Sequence, residues 1–145
     1  MSKNINDILI TNALRTPIGK YRGKLASYQA HDLGSEIIKN LLINSKVSPN
    51  EIDEIIIGQV LTGNTGQNSA RQAAIKAGIP IEKTAYLINQ VCGSGLRSIV
   101  SAYQSLKSGD AKIIIAGGQE SMTNCDKDVM LNDGLTDAYN KYHMG

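Results

Sequence analysis

The chain has 145 residues, of which 41% are hydrophobic, and its formal net charge is +2. This length allows one ordinary domain and excludes two full ones, and the hydrophobic content excludes a disordered chain. Charges of both signs are spread along the chain, which excludes the basic stripe of a nucleic-acid-binding protein and gives no electrostatic attraction to a membrane surface.

We expect neither a membrane span nor a signal peptide, because no apolar run is long enough and residues 1–4 lead straight into a predicted strand. The two cysteines, Cys92 and Cys125, lack the spacing of metal ligands and are too few for a disulfide framework. We therefore expect a protein of the reduced cytoplasm, without a metal site.

Apolar runs with the length of buried strands alternate with helical patterns along the chain. The first helix has Asp32 as its predicted N-cap, and an Ala-rich second helix covers residues 68–77. The third repeats apolar residues at helical spacing from Leu96 to Leu106 and ends at Gly109. The predicted strands flank these helices and comprise residues 8–10, 55–57, 86–88 and 113–115.

Strands that alternate with helices indicate right-handed crossovers and a mostly parallel α/β sheet. Ligands of such sheets bind at the carboxyl ends of the strands, where the chain turns into a helix. Cys92 is placed at such a corner, in the first turn of the third helix and directly after the third predicted strand. The pattern breaks down after Met122, so we expect an α/β core over residues 1–122 and a short, truncated segment over residues 123–145.

The surroundings of Cys92 suit a thiol nucleophile. A cysteine reacts as its thiolate, which the backbone N–H groups and the dipole of a helix N-terminus stabilise. Gly93 and Gly95 remove side-chain bulk next to it, so that a substrate can approach closely. Because the same N–H groups can hold an oxyanion, this arrangement predicts acyl transfer through a thioester.

Two other interpretations of this corner stay open. A cysteine of unknown role is more often a small buried residue than a nucleophile. Glycines that open a helix also occur in phosphate-binding loops, which would make the chain a nucleotide-binding α/β module that uses residues 63–66 or 93–95. Position 98 is Ser where the dinucleotide pattern needs its third glycine, which weakens this second interpretation.

The segment around Cys92, residues 89–98 with the sequence NQVCGSGLRS, resembles the nucleophile motif of the thiolase family and is closest to its acetyl-CoA acetyltransferase branch. The resemblance implies a thiolase-like N-terminal half-domain, with a mostly parallel sheet and alternating helices. Five further segments resemble motifs of the same family, in family order: residues 15–20 (RTPIGK), 58–61 (GQVL), 68–72 (NSARQ), 116–122 (AGGQESM) and 142–145 (YHMG).

The resemblance also implies a reaction and the residues that perform it. Cys92 would be acylated by acetyl-CoA, and a second acetyl-CoA would attack this thioester to form acetoacetyl-CoA. Coenzyme A thioesters are then the substrates, and no separate cofactor is needed. The backbone N–H of Cys92 would contribute to one oxyanion hole, and His143 and Met144 would line the substrate pocket. A histidine near a chain end is as often merely solvated, so both interpretations of His143 stay open.

Two departures from the family pattern bear on activity. The Asn-Glu-Ala-Phe, Gly-His-Pro and Cys-x-Gly-Gly-Gly segments of the family's second half do not occur here, and the stretch between Met122 and Asp133 is shorter than in typical members. We therefore expect the isolated chain to be inactive and to associate, either as a homo-oligomer or with a complementary C-terminal half. The alternative is a non-catalytic remnant of a truncated or split gene that needs a partner chain.

Three further side chains could be mistaken for parts of a catalytic site. Glu120 follows two glycines, but we expect a structural carboxylate that accepts bonds from loop backbone rather than a general base. Cys125 has none of the glycines of the family's second reactive cysteine, so we expect an incidental surface thiol. His31 precedes the predicted helix cap, and we expect a structural role for it.

Overall fold

The computed structural model of the chain describes residues 7–125. Its centre is a parallel sheet of three strands in the order β2-β1-β3. The strands are β1 (Glu54–Gly58), β2 (Thr84–Ile88) and β3 (Ile114–Gly118). Gly58, the last residue of the central strand, pairs with Ile88 on one side and with Gly118 on the other. All three strands therefore end in register at the same edge of the sheet.

Helices cover both faces of this sheet. On one face, Ile55 and Ile57 of β1 belong to a core that α1 and α2 complete with Ile38, Leu42 and three alanines. Side chains alternate along a strand, so Ile56 and Gly58 point to the other face, where α3 contacts β1 and β3. The helices are α1 (Ala30–Ser45), α2 (Ser69–Lys76) and α3 (Ser94–Ser108), and a short 3₁₀ helix, Pro49–Glu51, precedes β1.

The mostly parallel α/β architecture is confirmed, and so are three of the four predicted strands. The prediction of a first strand at residues 8–10 is wrong, because Leu9 and Ile10 have no strand conformation and are 66% and 80% exposed. An apolar run forms a strand only where it pairs with the edge of another strand, and the sequence of the run does not show whether such a partner is present. None of the helices between residues 7 and 125 is long and apolar enough to cross a membrane.

The prediction that Asp32 caps the first helix is also wrong, since α1 begins three residues earlier than expected. Gln29 is the N-cap, and Asp32 sits in the first turn, where its carboxylate accepts the backbone N–H of Gln29 at 3.0 Å. The same carboxylate accepts a bond from Lys76 at the end of α2. Asp32 thus joins the start of one helix to the end of the other, a tertiary role that local sequence does not show.

His31 lies next to this contact and has the structural position that we expected. Its side chain is buried, and its Nε2 lies 3.6 Å from Asp32. Burial lowers the pKa of His31 below its ordinary value of 6.5, and the positive charge of Lys76 lowers it further, against the opposing effect of Asp32. The folded protein therefore favours the neutral imidazole.

This burial predicts how stability depends on pH. At pH values between the lowered pKa of folded His31 and its unfolded value of 6.5, the unfolded chain binds more protons at this residue than the folded chain does. The free energy of unfolding therefore falls as the pH falls below about 6.5. Urea unfolding of the wild-type chain and of His31→Gln at about pH 7.5 and 5.5 measures this contribution. We expect the variant to lose less stability over this interval, and equal losses would contradict the assignment.

Candidate active site

The loops that follow β1 and β3 meet at the carboxyl edge of the sheet. Glu120, two residues after β3, accepts the backbone N–H of Val60 at 2.9 Å and that of Leu61 at 3.2 Å. Burial raises the pKa of Glu120, and the N–H groups of Val60, Leu61 and Ser121 act against that shift. Both carboxylate oxygens are engaged with backbone, so the expected structural role of Glu120 is confirmed.

A buried polar cluster below this edge ties the two loops to the start of α2. The Nε2 of Gln119 donates to Gln59 Oε1 at 2.9 Å and to Ser69 Oγ at 3.2 Å, and the Ser69 hydroxyl donates to the same Gln59 oxygen. Gln59 Nε2 donates in turn to the Leu61 carbonyl at 2.8 Å. These side chains had no predicted role. The available signal was an uncharged polar residue directly after the glycine that ends each of two strands.

The N-terminus of α3 lies in direct contact with this edge because three glycines meet there. A Cβ added to Gly58 would overlap the backbone of Ser94 and Gly95, and one added to Gly95 would lie 3.8 Å from the backbone of Gly118. Ser98, one turn further along, is fully buried and donates its hydroxyl to the Gly117 carbonyl at 2.8 Å. Close backbone approach of this kind needs residues without bulk. The first turn of α3 is thereby fixed above the strand ends.

Cys92 lies just outside α3 rather than in its first turn, so that detail of our prediction is wrong. The helix begins at Ser94 with Gly93 as its N-cap, and residues 90–93 form a tight turn closed by a bond of 3.0 Å from Gly93 N–H to the Gln90 carbonyl. Cys92 occupies the second central position of that turn, and its thiol is exposed at the helix entrance.

Val91, the first central residue of the turn, has a left-handed backbone with a φ of 49°, whereas Cys92 has no positive φ. These signs match a type II′ turn, whose first position is usually glycine. A β-branched residue is an outlier in this region, and such strain costs about 1–3 kcal/mol and collects at functional sites. The buried Ser94 hydroxyl stabilises the turn, since it accepts the Gln90 N–H at 2.9 Å and donates to the Val91 carbonyl at 2.6 Å.

An open cleft of about 320 Å³ has Glu120 in its lining, and two of the segments singled out in the sequence form most of its walls. Residues 16–21 and 120–123 line it, together with Leu25 and Leu33. Asn124 reinforces the arrangement, because its amide donates to the carbonyl oxygens of the 26–28 segment that leads into α1. Cys92 is not among the residues that line this cleft.

The remaining predicted residues divide into those inside and outside the described part of the chain. His143 and Met144, predicted to line a substrate pocket, lie outside the described residues 7–125. Cys125 is half-buried rather than on the surface, and its Sγ lies 3.4 Å from the Met122 carbonyl. Within the described range no group of three or more His, Cys, Asp or Glu side chains is arranged to hold a metal ion.

The fold and the site together define an α/β protein with an exposed thiol at the carboxyl edge of a parallel sheet, where such folds bind their ligands. Comparison with protein families is more specific. Residues 8–128 match the model of the thiolase N-terminal domain, and the chain belongs to the thiolase family.

Curated relatives point to one branch of that family. The chain is 46% identical to an acetyl-CoA acetyltransferase of Paracoccus denitrificans and 48% identical to one of Chromobacterium violaceum, over 94% and 96% of its length. It spans only 39% and 40% of those two proteins. The first alignment runs over 153 positions, more than the 145 residues of this chain, so the relative carries residues that this chain lacks.

A solved structure supports the same assignment. The Acat5 thiolase from Ascaris suum, crystallised in complex with coenzyme A, superposes with a TM-score of 0.76 at 38% sequence identity. The superposition covers 78% of this chain and 30% of the Ascaris chain. The three-stranded sheet and its helices are therefore part of a thiolase fold.

The contact of α3 with the sheet can be tested by adding a single methyl group. We expect Gly58→Ala to destabilise the chain by about 3 kcal/mol, because its Cβ would overlap backbone rather than a side chain that can move. Gly117→Ala is the matched control, since its Cβ would meet nothing within 4 Å. That variant should be neutral or stabilised by up to about 1 kcal/mol. Urea unfolding measures both, and equal effects would refute the close contact.

Proposed function

We propose that this chain is the acyl-carrying part of an acetyl-CoA acetyltransferase, with Cys92 as the nucleophile. The observation that carries the proposal is the placement of an exposed thiol on a strained turn at the carboxyl edge of the sheet. A merely structural cysteine would be buried and would need no such turn. The names of the curated relatives supply the substrate class, which is acetyl-CoA.

The first step is the transfer of an acetyl group to Cys92. The thiolate attacks the carbonyl carbon of acetyl-CoA, the carbon–sulfur bond to coenzyme A breaks, and coenzyme A leaves after taking up a proton. The oxyanion formed during this step needs a donor. The N–H groups of Gly93 and Ser94 donate to carbonyls within the turn, so the N–H of Cys92 itself is the proposed donor.

The second step joins two acetyl groups. A base removes a proton from the methyl carbon of a second acetyl-CoA, and the resulting carbanion attacks the acetyl-Cys92 carbonyl. The new carbon–carbon bond yields acetoacetyl-CoA, and the carbon–sulfur bond to Cys92 breaks, which regenerates the thiolate. These proton transfers need acid and base groups. By family resemblance they belong to the Gly-His-Pro and Cys-x-Gly-Gly-Gly segments, which residues 1–145 do not contain. His143 and Met144 remain the proposed pocket-lining residues, and no cofactor beyond coenzyme A thioesters is proposed.

Stoichiometric acetylation tests the first step without the missing base. A thiolate attacks a thioester without help from a separate base, so at alkaline pH we expect acetyl-CoA to acetylate Cys92 slowly in the isolated chain. Mass spectrometry of peptides from the wild-type chain, from Cys92→Ala and from Cys125→Ala locates the adduct. Cys125 is the internal control, being half-buried and remote in sequence from the turn. Preferential acetylation of Cys125, or none at Cys92, would overturn the assignment.

We also propose that the outer surface of α3 binds the remaining portion of a thiolase. The side of this helix that faces the sheet carries small residues, Ser94, Ser98 and Ala102, whereas its large apolar side chains point away from the sheet. Leu96 is 69% exposed and Tyr103 is 51% exposed, and Ile99 and Val100 complete the α3 stripe between them. Contiguous exposed apolar residues mark an interface. A partner is expected here because the chain spans about two fifths of its relatives.

Co-expression with the unmatched portion of the Chromobacterium violaceum acetyltransferase tests this partner. We expect the two polypeptides to copurify, and Leu96→Glu to weaken binding at least about tenfold, because the charge would be buried in the interface. Gln104→Glu is the control, since it adds the same charge to an exposed position outside the α3 stripe. Sedimentation of the chain alone measures self-association. A monomer that does not bind the added portion, or equal binding by both variants, would contradict the proposal.

A further inference from the structure

Asn89 is the first residue after β2, and its side chain connects two loops at the carboxyl edge of the sheet. The Nδ2 group donates to the Val60 carbonyl at 3.3 Å, and Oδ1 accepts the backbone N–H of Val91 at 2.9 Å. The amide has both a donor and an acceptor, and both are used. One end of the side chain is therefore attached to the loop after β1, and the other to the turn that carries Cys92.

The Val60 end of this bridge is itself held in place. Glu120 accepts the Val60 N–H at 2.9 Å, and the half-buried carboxylate has further backbone donors in Leu61 and Ser121. A series of hydrogen bonds thus runs from Glu120 after β3, through the loop after β1, to Asn89 after β2. It ends at Val91, the residue directly before Cys92.

Val91 needs support of this kind because its own side chain disfavours its backbone conformation. It is a β-branched residue with a φ of 49° at a turn position where glycine is usual. Ser94 holds the Val91 carbonyl and the Gln90 N–H, but the N–H of Val91 is held by Asn89. The direction in which Cys92 leaves the turn depends on both peptide units of Val91, and Asn89 fixes the first of them.

We propose that Asn89 is a positioning residue for Cys92: by bridging the Val60 carbonyl and the Val91 N–H, it holds the left-handed turn that presents the thiol. Only the expected effect of Asn89 on catalysis rests on the proposed function of Cys92. The bridge itself can be tested on the turn alone. Because Asn89 is exposed, its replacement by alanine removes the bridge without opening a cavity in the core.

Nuclear magnetic resonance of the chain gives the first readout. In Asn89→Ala we expect hydrogen exchange of the Val91 amide to become about fivefold faster, because one hydrogen bond is lost. The three-bond coupling between HN and Hα of Val91, which reports its φ, should also depart from the wild-type value. Asn40→Ala is the matched control, since the Asn40 amide also donates to a backbone carbonyl, that of Glu36 at 2.7 Å, far along α1. It should leave the Val91 signals unchanged. Unchanged Val91 signals in Asn89→Ala would refute the proposal.

The acetylation rate of Cys92 gives the second readout, and a rescue variant separates positioning from stability. We expect Asn89→Ala to slow acetylation by acetyl-CoA about fivefold. Adding Val91→Gly should restore the rate, because glycine adopts the turn without support. A rate that is unchanged in Asn89→Ala, or slow in both variants, would overturn the positioning role. If wild-type Cys92 is not acetylated, the proposed function fails, and the Val91 signals still decide whether Asn89 fixes the turn.

Discussion

The contact between the first turn of α3 and the strand ends is the constraint on which the site depends. Gly58 and Gly118 end adjacent strands in register, and Gly95 lies directly against them. No side chain separates the helix from the sheet at this point, so the helix backbone can approach the strand ends to van der Waals distance. Because the three parallel strands end in register, their last residues lie side by side. The glycines at this edge allow α3 to pack directly against it.

This contact determines the conformation of the segment that carries the thiol. β2 ends at Ile88 and α3 begins at Ser94, so five residues must connect a strand end to a helix whose start is already fixed. A connection this short reverses direction through a tight turn, and the turn forces a left-handed residue at position 91. The side chains of Asn89 and Ser94 then stabilise it from either end of the segment. Strain at Val91 follows from the sheet geometry and is not a local preference of its sequence.

These dependencies explain which features could be predicted from the sequence. The strands at residues 55–57 and 86–88 were predictable, because short apolar runs between helical patterns are typical of buried parallel strands. The corner position of Cys92 was predictable for the same reason. Residues 8–10 have an equally apolar run, yet they form no strand, because strand formation also needs an edge to pair with. The left-handed Val91 was not predictable either, since valine disfavours it and only the neighbouring elements impose it.

The two sides of α3, one facing the sheet and one facing away from it, have different roles in the proposed chemistry. The small residues on the sheet-facing side of α3 and the glycines allow the close contact that determines the turn. All of these residues lie within the described range 7–125. The large apolar side chains of α3 contribute nothing to that contact and point away from the sheet. In the proposed complex this helix has two neighbours: the sheet, which positions Cys92, and the partner layer over the opposite side. Since the thiol projects at the end of the same helix, whatever covers the α3 stripe lies beside Cys92. The groups that move protons in the proposed reaction can therefore enter from that layer, which is why they need not occur in this part of a thiolase.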